Sequence, residues 1–571
     1  VDALSQTCVQ QRPNFYPQMT EMNDSRLAPP LTRIEQIQRF AVTAEQMRQI
    51  EARIFAAGMP VAALMEKVGK LLVQRLLKQN LLKEGDRVGI LVGSGHNGGD
   101  ALVMARELYL SGYEVLRYQP LTNLKDLTAA HSRYADSLGI AKFDSVEPLK
   151  TCNLMIDGLF GFGLTRSLEG AFALAVQEIN RWQKQTVSID LPSGLHTDTG
   201  AALGTAIRAT HTFCLGLWKL AFLQDQALEY TGKAELIDFG IPLANIHAIL
   251  GADPLMQRMT AASAIAALPL PRPASTHKYQ QGHLLLVCGS RRYMGAALLA
   301  GSAARSSGVG MLSIAVPQSC QSLLVSHLPD ALAIGCPETE SGAIAHLPDA
   351  VDLEKYDAIA CGSGLTIEAK TLVQQVLNSA CPLILDADGL NILASAMESL
   401  HSRSAPTVLT PHAGEFKRLF PHLVELSSAL TDDRLQTVQK AAQQSGAIVL
   451  LKGARTAIAT PQGSVWLNPD STSALARGGS GDVLTGLMGG LLAQIVRNSA
   501  LQEGVWSDRA IVSAIQSATW WHSQAGILAA QTRTELGVDA TTLSQFLIPA
   551  LQKMMQVQNL TQNLTQTLKA D

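Results

Sequence analysis

The sequence predicts an α/β protein made of two parallel-sheet domains, and three observations carry that reading. Short apolar runs recur along the chain, each closing on a turn rich in Gly, Asp or Ser, as strands buried on both faces do. The runs fall into two blocks, parted near 240–282 by a proline-rich stretch that includes PLPRPASTHK. Finally, 571 residues that are 47% hydrophobic and 16% charged supply ample core for more than one domain.

The elements follow in order. Residues 1–40 are polar, carry Pro13, Pro17, Pro29 and Pro30, and read as a loose tail and lead-in. The first domain spans 41–245: VGILVGSG (88–95), a helix-like DALVMARELYLSG, then EVLRY, NLMIDGLFGFG and TVSIDLPSG. Residues 246–274 are expected to link the domains. The second domain, 275–550, repeats the pattern in HLLLVCGS, MLSIAVP, DAIACGSGL, PLILDADGL, TVLTPHAGE and AIVLLKGA. Its MGAALLAGSAARSSGVG (294–310) reads as a small-residue helix suited to close packing. The polar end, 551–571, reads as a frayed tail, and the glycosylation sequons at Asn559 and Asn563 within it as coincidental.

Composition narrows the function. With 45 Lys+Arg against 48 Asp+Glu the net charge is −3, which favours neither nucleic acid nor an anionic membrane as partner. The eight cysteines form no CxxC pair, so zinc, iron–sulfur and disulfide frameworks are not expected, and most sit in apolar runs as small core residues. No continuous run of 18 apolar residues occurs, and the first residues do not read as a signal peptide, so a cytoplasmic protein is expected. Self-association into a homo-oligomer is also expected.

In parallel sheets ligands sit at the carboxyl ends of strands, and polar residues gather there in both blocks. In GSGHNGGD (93–100), glycines permit close backbone approach, Asp100 opens a helix whose N–H groups suit a phosphate, and Asn97 adds a polar group. Asp157 and Asp190 each end a buried run, where an acid is costly unless paired or used. Ser193 and Asn97 can join Asp157 as hard oxygen ligands, with Na⁺, K⁺ and Mg²⁺ all open. Lys219, inside CLGLWKLAF, is either a site lysine or a surface lysine with a buried stem.

In the second block, ARGGSGDVLTGLMGGLLAQ (476–494) sets Gly478, Gly479 and Gly481 around Ser480, with Asp482 where a helix begins. A nest of amides beside one carboxylate suits phosphoryl transfer: the amides hold developing charge and the acid takes a hydroxyl proton. VLLKGARTAI places Lys452 and Thr456 after a strand, suited to nucleotide phosphates, and LTPHAGEF presents His412 and Glu415.

QMRQIEARIFAAGMPVAALMEKVG (46–69), GSGHNGGDALVMAR, DGLFGFGLTR, IDLPSG and THTFCLGLWK together resemble the NAD(P)H-hydrate epimerase domain. The resemblance implies a Rossmann-like three-layer fold that interconverts R and S hydrates. It places substrate against His96, Asn97, Gly98, Gly99 and Asp100, and against Gly161, Phe162, Gly163, Leu164, Thr165, Arg166 and Ser167, with Asp190 beside them. It also implies K⁺ near Asn97, Asp157 and Ser193. The residues leave open whether Asp157 or Asp190 moves protons.

HKYQQGHLLLVCGSRRYMGAA, CGSGL, LTPHAGEF, KGART and GGSGDVLTG resemble the ADP-dependent NAD(P)H-hydrate dehydratases, which have a ribokinase-like α/β fold. That likeness implies ADP along Lys452, Gly453, Ala454, Arg455 and Thr456 and along Thr472 to Gly481, with Mg²⁺ assisting. It places the S epimer near Ala296, Gly364, His412, Glu415 and Asp482. Both domains in this order resemble the bifunctional repair family, with NADHX and NADPHX as substrates. The alternative is a vitamin-type kinase whose first domain is a non-catalytic nucleotide-binding module.

Overall fold

The computed structural model describes residues 32–426, 434–503 and 507–570. Strands β1 (Ala41–Val42), β2 (Arg87–Val92), β3 (Glu114–Tyr118), β4 (Ala141–Phe143), β5 (Leu154–Gly158), β6 (Gln185–Ile189), β7 (His211–Leu215), β8 (Trp218–Lys219) and β9 (Lys233–Ile237) form the first domain. Seven of them make one all-parallel sheet in the order β4-β3-β2-β5-β6-β7-β9, and β1 pairs with β8. Strand order reverses between β2 and β5, which opens a crevice at their carboxyl ends.

The second sheet has ten strands: β10 (Met256–Arg258), β11 (His283–Val287), β12 (Met311–Pro317), β13 (Leu332–Cys336), β14 (Ala358–Cys361), β15 (Leu383–Leu385), β16 (Thr407–Leu409), β17 (Ile448–Leu451), β18 (Ala457–Ala459) and β19 (Val465–Leu467). Their order is β10-β19-β18-β17-β16-β15-β14-β11-β12-β13. The expected parallel pairing holds except around β18, which runs antiparallel to both neighbours. The cause is loop length: five residues separate β17 from β18, far fewer than the dozen or so that a parallel crossover needs. KGART is therefore the tip of a hairpin.

Two stretches read as unstructured are folded. Of the expected lead-in, residues 1–31 lie outside the described residues. Thr32 caps a helix, Arg33–Arg39, through a capping box, and Ile37 and Phe40 are buried. At the other end the final helix runs Ala540–Ala570, straight through the expected tail and both sequons. Gln, Leu and Lys are good helix formers, so the composition that reads as polar tail also extends a helix. The 246–274 stretch carries β10, which extends the second sheet, and the helix Ala261–Ala266. Among the described residues no helix is long and apolar enough to cross a membrane, and the seven described cysteines are buried and unbonded.

The long helix Ser480–Glu503 lies against Met294–Ser306, the expected small-residue helix, and against Asp508–Arg533. The helices meet at their glycines: a Cβ at Gly486 would overlap the backbone carbonyl oxygen of Ala300, and one at Gly490 would overlap the side-chain hydroxyl of Ser307. Gly486→Ala is expected to cost about 1–3 kcal/mol through overpacking, although alanine favours helix in the open. Urea midpoints of the two proteins check this.

Candidate active sites

In the first domain the helix His96–Leu110 begins directly after the β2 turn, four residues earlier than expected, so Asp100 sits inside it. Gly98 and Gly99 serve packing. A Cβ at Gly98 would overlap the Gly93 carbonyl oxygen, and one at Gly99 would lie 2.6 Å from Met65. A cavity of about 650 Å³ opens at the strand ends. His96, Asn97, Asp100, Gly161, Phe162, Gly163, Leu164, Thr165, Arg166 and Asp190 line it, whereas Gly98, Gly99, Ser167, Asp157 and Ser193 do not.

The two strand-end acids have different surroundings. Asp157 is fully buried and accepts hydrogen bonds from Ser193 Oγ (2.6 Å), Ser188 Oγ (2.8 Å), Ser193 N (2.9 Å) and Leu159 N (3.3 Å). Ser193 Oγ in turn accepts from Phe160 N at 2.9 Å, so this carboxylate ties the β5 loop to the β6 loop. Asp190 faces the cavity with φ at +68°, a left-handed conformation that Asp tolerates better than most residues. Its Oδ2 accepts from Phe162 N at 3.1 Å, and its Oδ1 pairs with Lys219. Lys219 is not at the surface: it is fully buried and also donates to Leu215 O at 2.6 Å. Burial lowers its pKa, but Asp190 more than offsets this and holds the ammonium charged.

Two further acids share this cavity. Burial, with repulsion from Asp190 and Glu51, raises the Asp100 carboxyl well above the usual range. Glu51 is pushed up to about 7, mainly by burial, with Lys219 opposing. Sequence reading overlooked Glu51. The signal was present, since Met47, Ile50, Glu51 and Ile54 follow the i, i+3, i+4, i+7 spacing of one helix face, with an acid inside the apolar stripe. Burial, then nearby Lys125, lowers the His96 pKa and favours a neutral ring.

In the second domain, Asp386 ends β15 and is buried. It pairs with Lys452 Nζ at 2.5 Å and accepts from Thr485 Oγ1 (2.7 Å) and Thr410 Oγ1 (2.9 Å). Burial would raise its pKa, but Lys452 and the two hydroxyls bring it below the usual value. Asp482 lies in the first turn of Ser480–Glu503, its carboxyl pushed up to about 6 by burial and by Asp386, against nearby Ser363 and Lys452. A Cβ at Gly481 would lie 3.5 Å from Lys452 Nζ, so the glycine turn and the lysine meet at one point. Behind them His522, absent from the expected set, holds the helix start: its Nε2 lies 3.0 Å from Ser480 O, and burial lowers its pKa to about 4.

The remaining expected residues divide. Ala296 and Gly364 meet, with a Cβ at Gly364 (φ +68°) falling 2.9 Å from Ala296 Cβ. His412 and Glu415 form a capping box: Gly414 N donates to His412 Nδ1 and His412 N to Glu415 Oε2, both at 2.9 Å. Glu415 is thereby buried in a structural task, while the His412 ring stays exposed. A second cavity of about 590 Å³ opens beside Arg455 and Thr472. The backbone of Gly453–Arg455 lies against the first domain, where Asp225 Oδ1 accepts from Arg455 N at 2.7 Å.

Fold and sites together define a two-domain α/β enzyme, Rossmann-like and then ribokinase-like, with a buried acid centre at the carboxyl end of each sheet. A family model described as NAD(P)H-hydrate dehydratase matches residues 284–549, and one described as YjeF-related protein N-terminus matches 61–221. A bifunctional NAD(P)H-hydrate repair enzyme of Synechocystis is 52% identical over 90% of this chain and 96% of its own. One of Thermosynechococcus vestitus is 51% identical over 90% and 98%. The chain belongs to the family of bifunctional NAD(P)H-hydrate repair enzymes. A solved ADP/ATP-dependent NAD(P)H-hydrate dehydratase of Bacillus subtilis is 34% identical and covers 52% of this chain and 97% of its own, at a TM-score of 0.43.

Two stability effects follow from the buried charges. Lys219→Met leaves Asp190 unpaired beside Glu51 and Asp100 and is expected to cost about 3–5 kcal/mol at pH 8, and less at pH 5, where Glu51 has taken up its proton and no longer adds to the uncompensated charge. Asp482→Asn should act oppositely. A carboxyl whose folded-state pKa is raised from 3.8 to about 6 loses stability as pH rises between those values, so the variant gains roughly 2–3 kcal/mol at pH 7 and only about 0.5 kcal/mol at pH 4. Denaturant titrations across that pH range check both.

Proposed function

We propose that the chain restores hydrated NAD(P)H in two steps: the first domain interconverts R and S NAD(P)HX, and the second dehydrates the S form, turning ADP into AMP and phosphate. Asp482 carries the second reading. It stands behind the Gly478–Gly481 turn, next to Lys452, with a pKa of about 6 that suits a base working near neutral pH. Asp482 takes the proton from the ring hydroxyl, and the oxygen attacks the terminal phosphorus of ADP. The P–O bond to AMP breaks, with Lys452 and the amides of Gly479–Gly481 holding the transferring group. Phosphate then leaves as the ring nitrogen's lone pair assists and the neighbouring carbon gives up a proton.

Of the two strand-end acids in the first domain, Asp190 is the better placed for the proton traffic, because it lines the cavity and Asp157 does not. Paired with Lys219 it stands as the acceptor, with Glu51, raised to about 7, beside it as the donor. A proton delivered to the ring hydroxyl lets water leave with help from the ring nitrogen, and water returning to the other face gives the other epimer. The oxygens of Asp157, Ser193 and Asn97 suit K⁺, and the buried Asn97 amide has an unpartnered Nδ2 that half a turn replaces with Oδ1. Such an ion would offset charge beside Asp157. Mg²⁺ fits as an ion that arrives with nucleotide phosphates: among the described residues no three acids, histidines or cysteines gather to hold a metal, and Asp482 offers one carboxylate. A cytoplasmic homo-oligomer is part of this reading.

The kinase alternative is the weaker one, because relatives more than 50% identical over nine-tenths of the chain carry the repair name. Supplying mixed hydrate epimers with ADP and following NADH absorbance tests the proposal, and a stable phosphorylated product would support a kinase instead. Asp482→Asn is expected to lower dehydration by about 10²–10⁴ while R-to-S conversion persists. In the unaltered enzyme dehydration should fall as pH drops below about 6, where Asp482 gains its proton. Asp190→Asn should abolish epimerisation; full activity in that variant would remove the acid from the mechanism.

A further inference from the structure

The hairpin that carries Lys452 is gripped by the other domain. Asp225 lies on the short turn Asp225–Ala227, six residues after the Lys219 of the first cavity. Its Oδ1 accepts from Arg455 N at 2.7 Å, and its Oδ2 lies 2.7 Å from Arg434 Nη1. Arg434 is buried, and its Nη2 donates to Leu451 O at 3.3 Å, immediately before Lys452. Phe222 O accepts from Arg455 Nε at 3.3 Å. A Cβ at Gly453 would lie 2.8 Å from Asp225 Oδ2 and overlap Arg434, so the hairpin tip passes through this clamp as glycine.

We propose that Asp225 of the first domain is a positioning residue for the second reaction: it fixes the backbone of 453–456, the nucleotide-binding stretch beyond Lys452, before nucleotide arrives. The proposal rests on reading 452–456 as the nucleotide segment. Gly453 and Ala454 are exposed, and an exposed tip without an anchor must be ordered when ligand binds, which weakens affinity. The clamp removes that cost beforehand. Arg434 neutralises the carboxylate, so a negative charge can stand beside a phosphate-holding loop without repelling its ligand. The grip is on the loop's backbone and leaves the acid centre at Asp482 untouched, so the effect falls on nucleotide binding rather than on the chemical step.

The test is steady-state dehydration of the S hydrate by the full-length chain with ADP varied. Asp225→Ala is expected to raise KM for ADP about five- to tenfold with kcat nearly unchanged. Asp225→Asn keeps an acceptor for Arg455 N–H and should fall between. R-to-S conversion, followed without ADP, should stay at the unaltered rate. An unchanged KM, or a fall in kcat at constant KM, overturns the proposal. If Asp225→Ala does not fold, Asp225→Asn decides on the same two parameters. Lys452→Ala separates the two readings: a raised KM there with none in the Asp225 variants sinks the clamp alone. An unchanged KM in Lys452→Ala brings down the nucleotide reading and the clamp with it.

Discussion

Burying a carboxylate at the end of a sheet is expensive, and in both domains a lysine offsets that cost. Lys219 meets Asp190 inside the first cavity, and Lys452 meets Asp386 beside the second glycine turn. Each pair confines one negative charge and lets a further acid stand nearby with a raised pKa. Glu51 and Asp100 hold that position in the first site, and Asp482 holds it in the second. A carboxyl that exchanges its proton near neutral pH is useful for proton transfer, and the neighbouring pair keeps it from destabilising the fold further. The lysines therefore offset burial and at the same time set the charge that the second acid faces.

The fold was largely legible in the sequence, because strands buried on both faces leave continuous apolar runs and their turns leave glycines. What a given glycine does was not legible. Gly98 and Gly99 resemble a ligand loop on paper, yet they let a helix sit on the turn and on Met65. Gly453 looks like part of a phosphate loop and makes room for Arg434 and Asp225, which lie more than 200 residues apart in the chain. Roles of this kind depend on what packs opposite, and local sequence carries no record of it.

The acids show the same division. Asp190 and Asp482 could be placed at strand and helix ends by pattern, but whether Asp157 faces solvent, ligand or its own hydroxyls depends on Ser188 and Ser193 from another strand and its loop. Glu51 was readable as an acid in an apolar helical stripe. His522 was not, since nothing near it in sequence marks a contact with Ser480, 42 residues earlier.

The edge of the second sheet is shared property. Strand β10, from the stretch between the domains, pairs with β19, and Phe40, at the end of the lead-in to the first domain, forms an antiparallel bridge to Gln257 on its outer side. Arg258 stacks over Trp218 at 4.8 Å, and one buried apolar cluster contains residues of both domains. Dissecting the chain into two halves is therefore not a neutral operation. A second half begun at residue 275 loses β10 and leaves β19 as a bare edge with unpaired N–H and C=O groups, a ready template for association with other chains. One begun a few residues ahead of Met256 keeps its own edge strand, yet still gives up the Phe40 bridge, the Arg258–Trp218 stack and the Asp225 clamp.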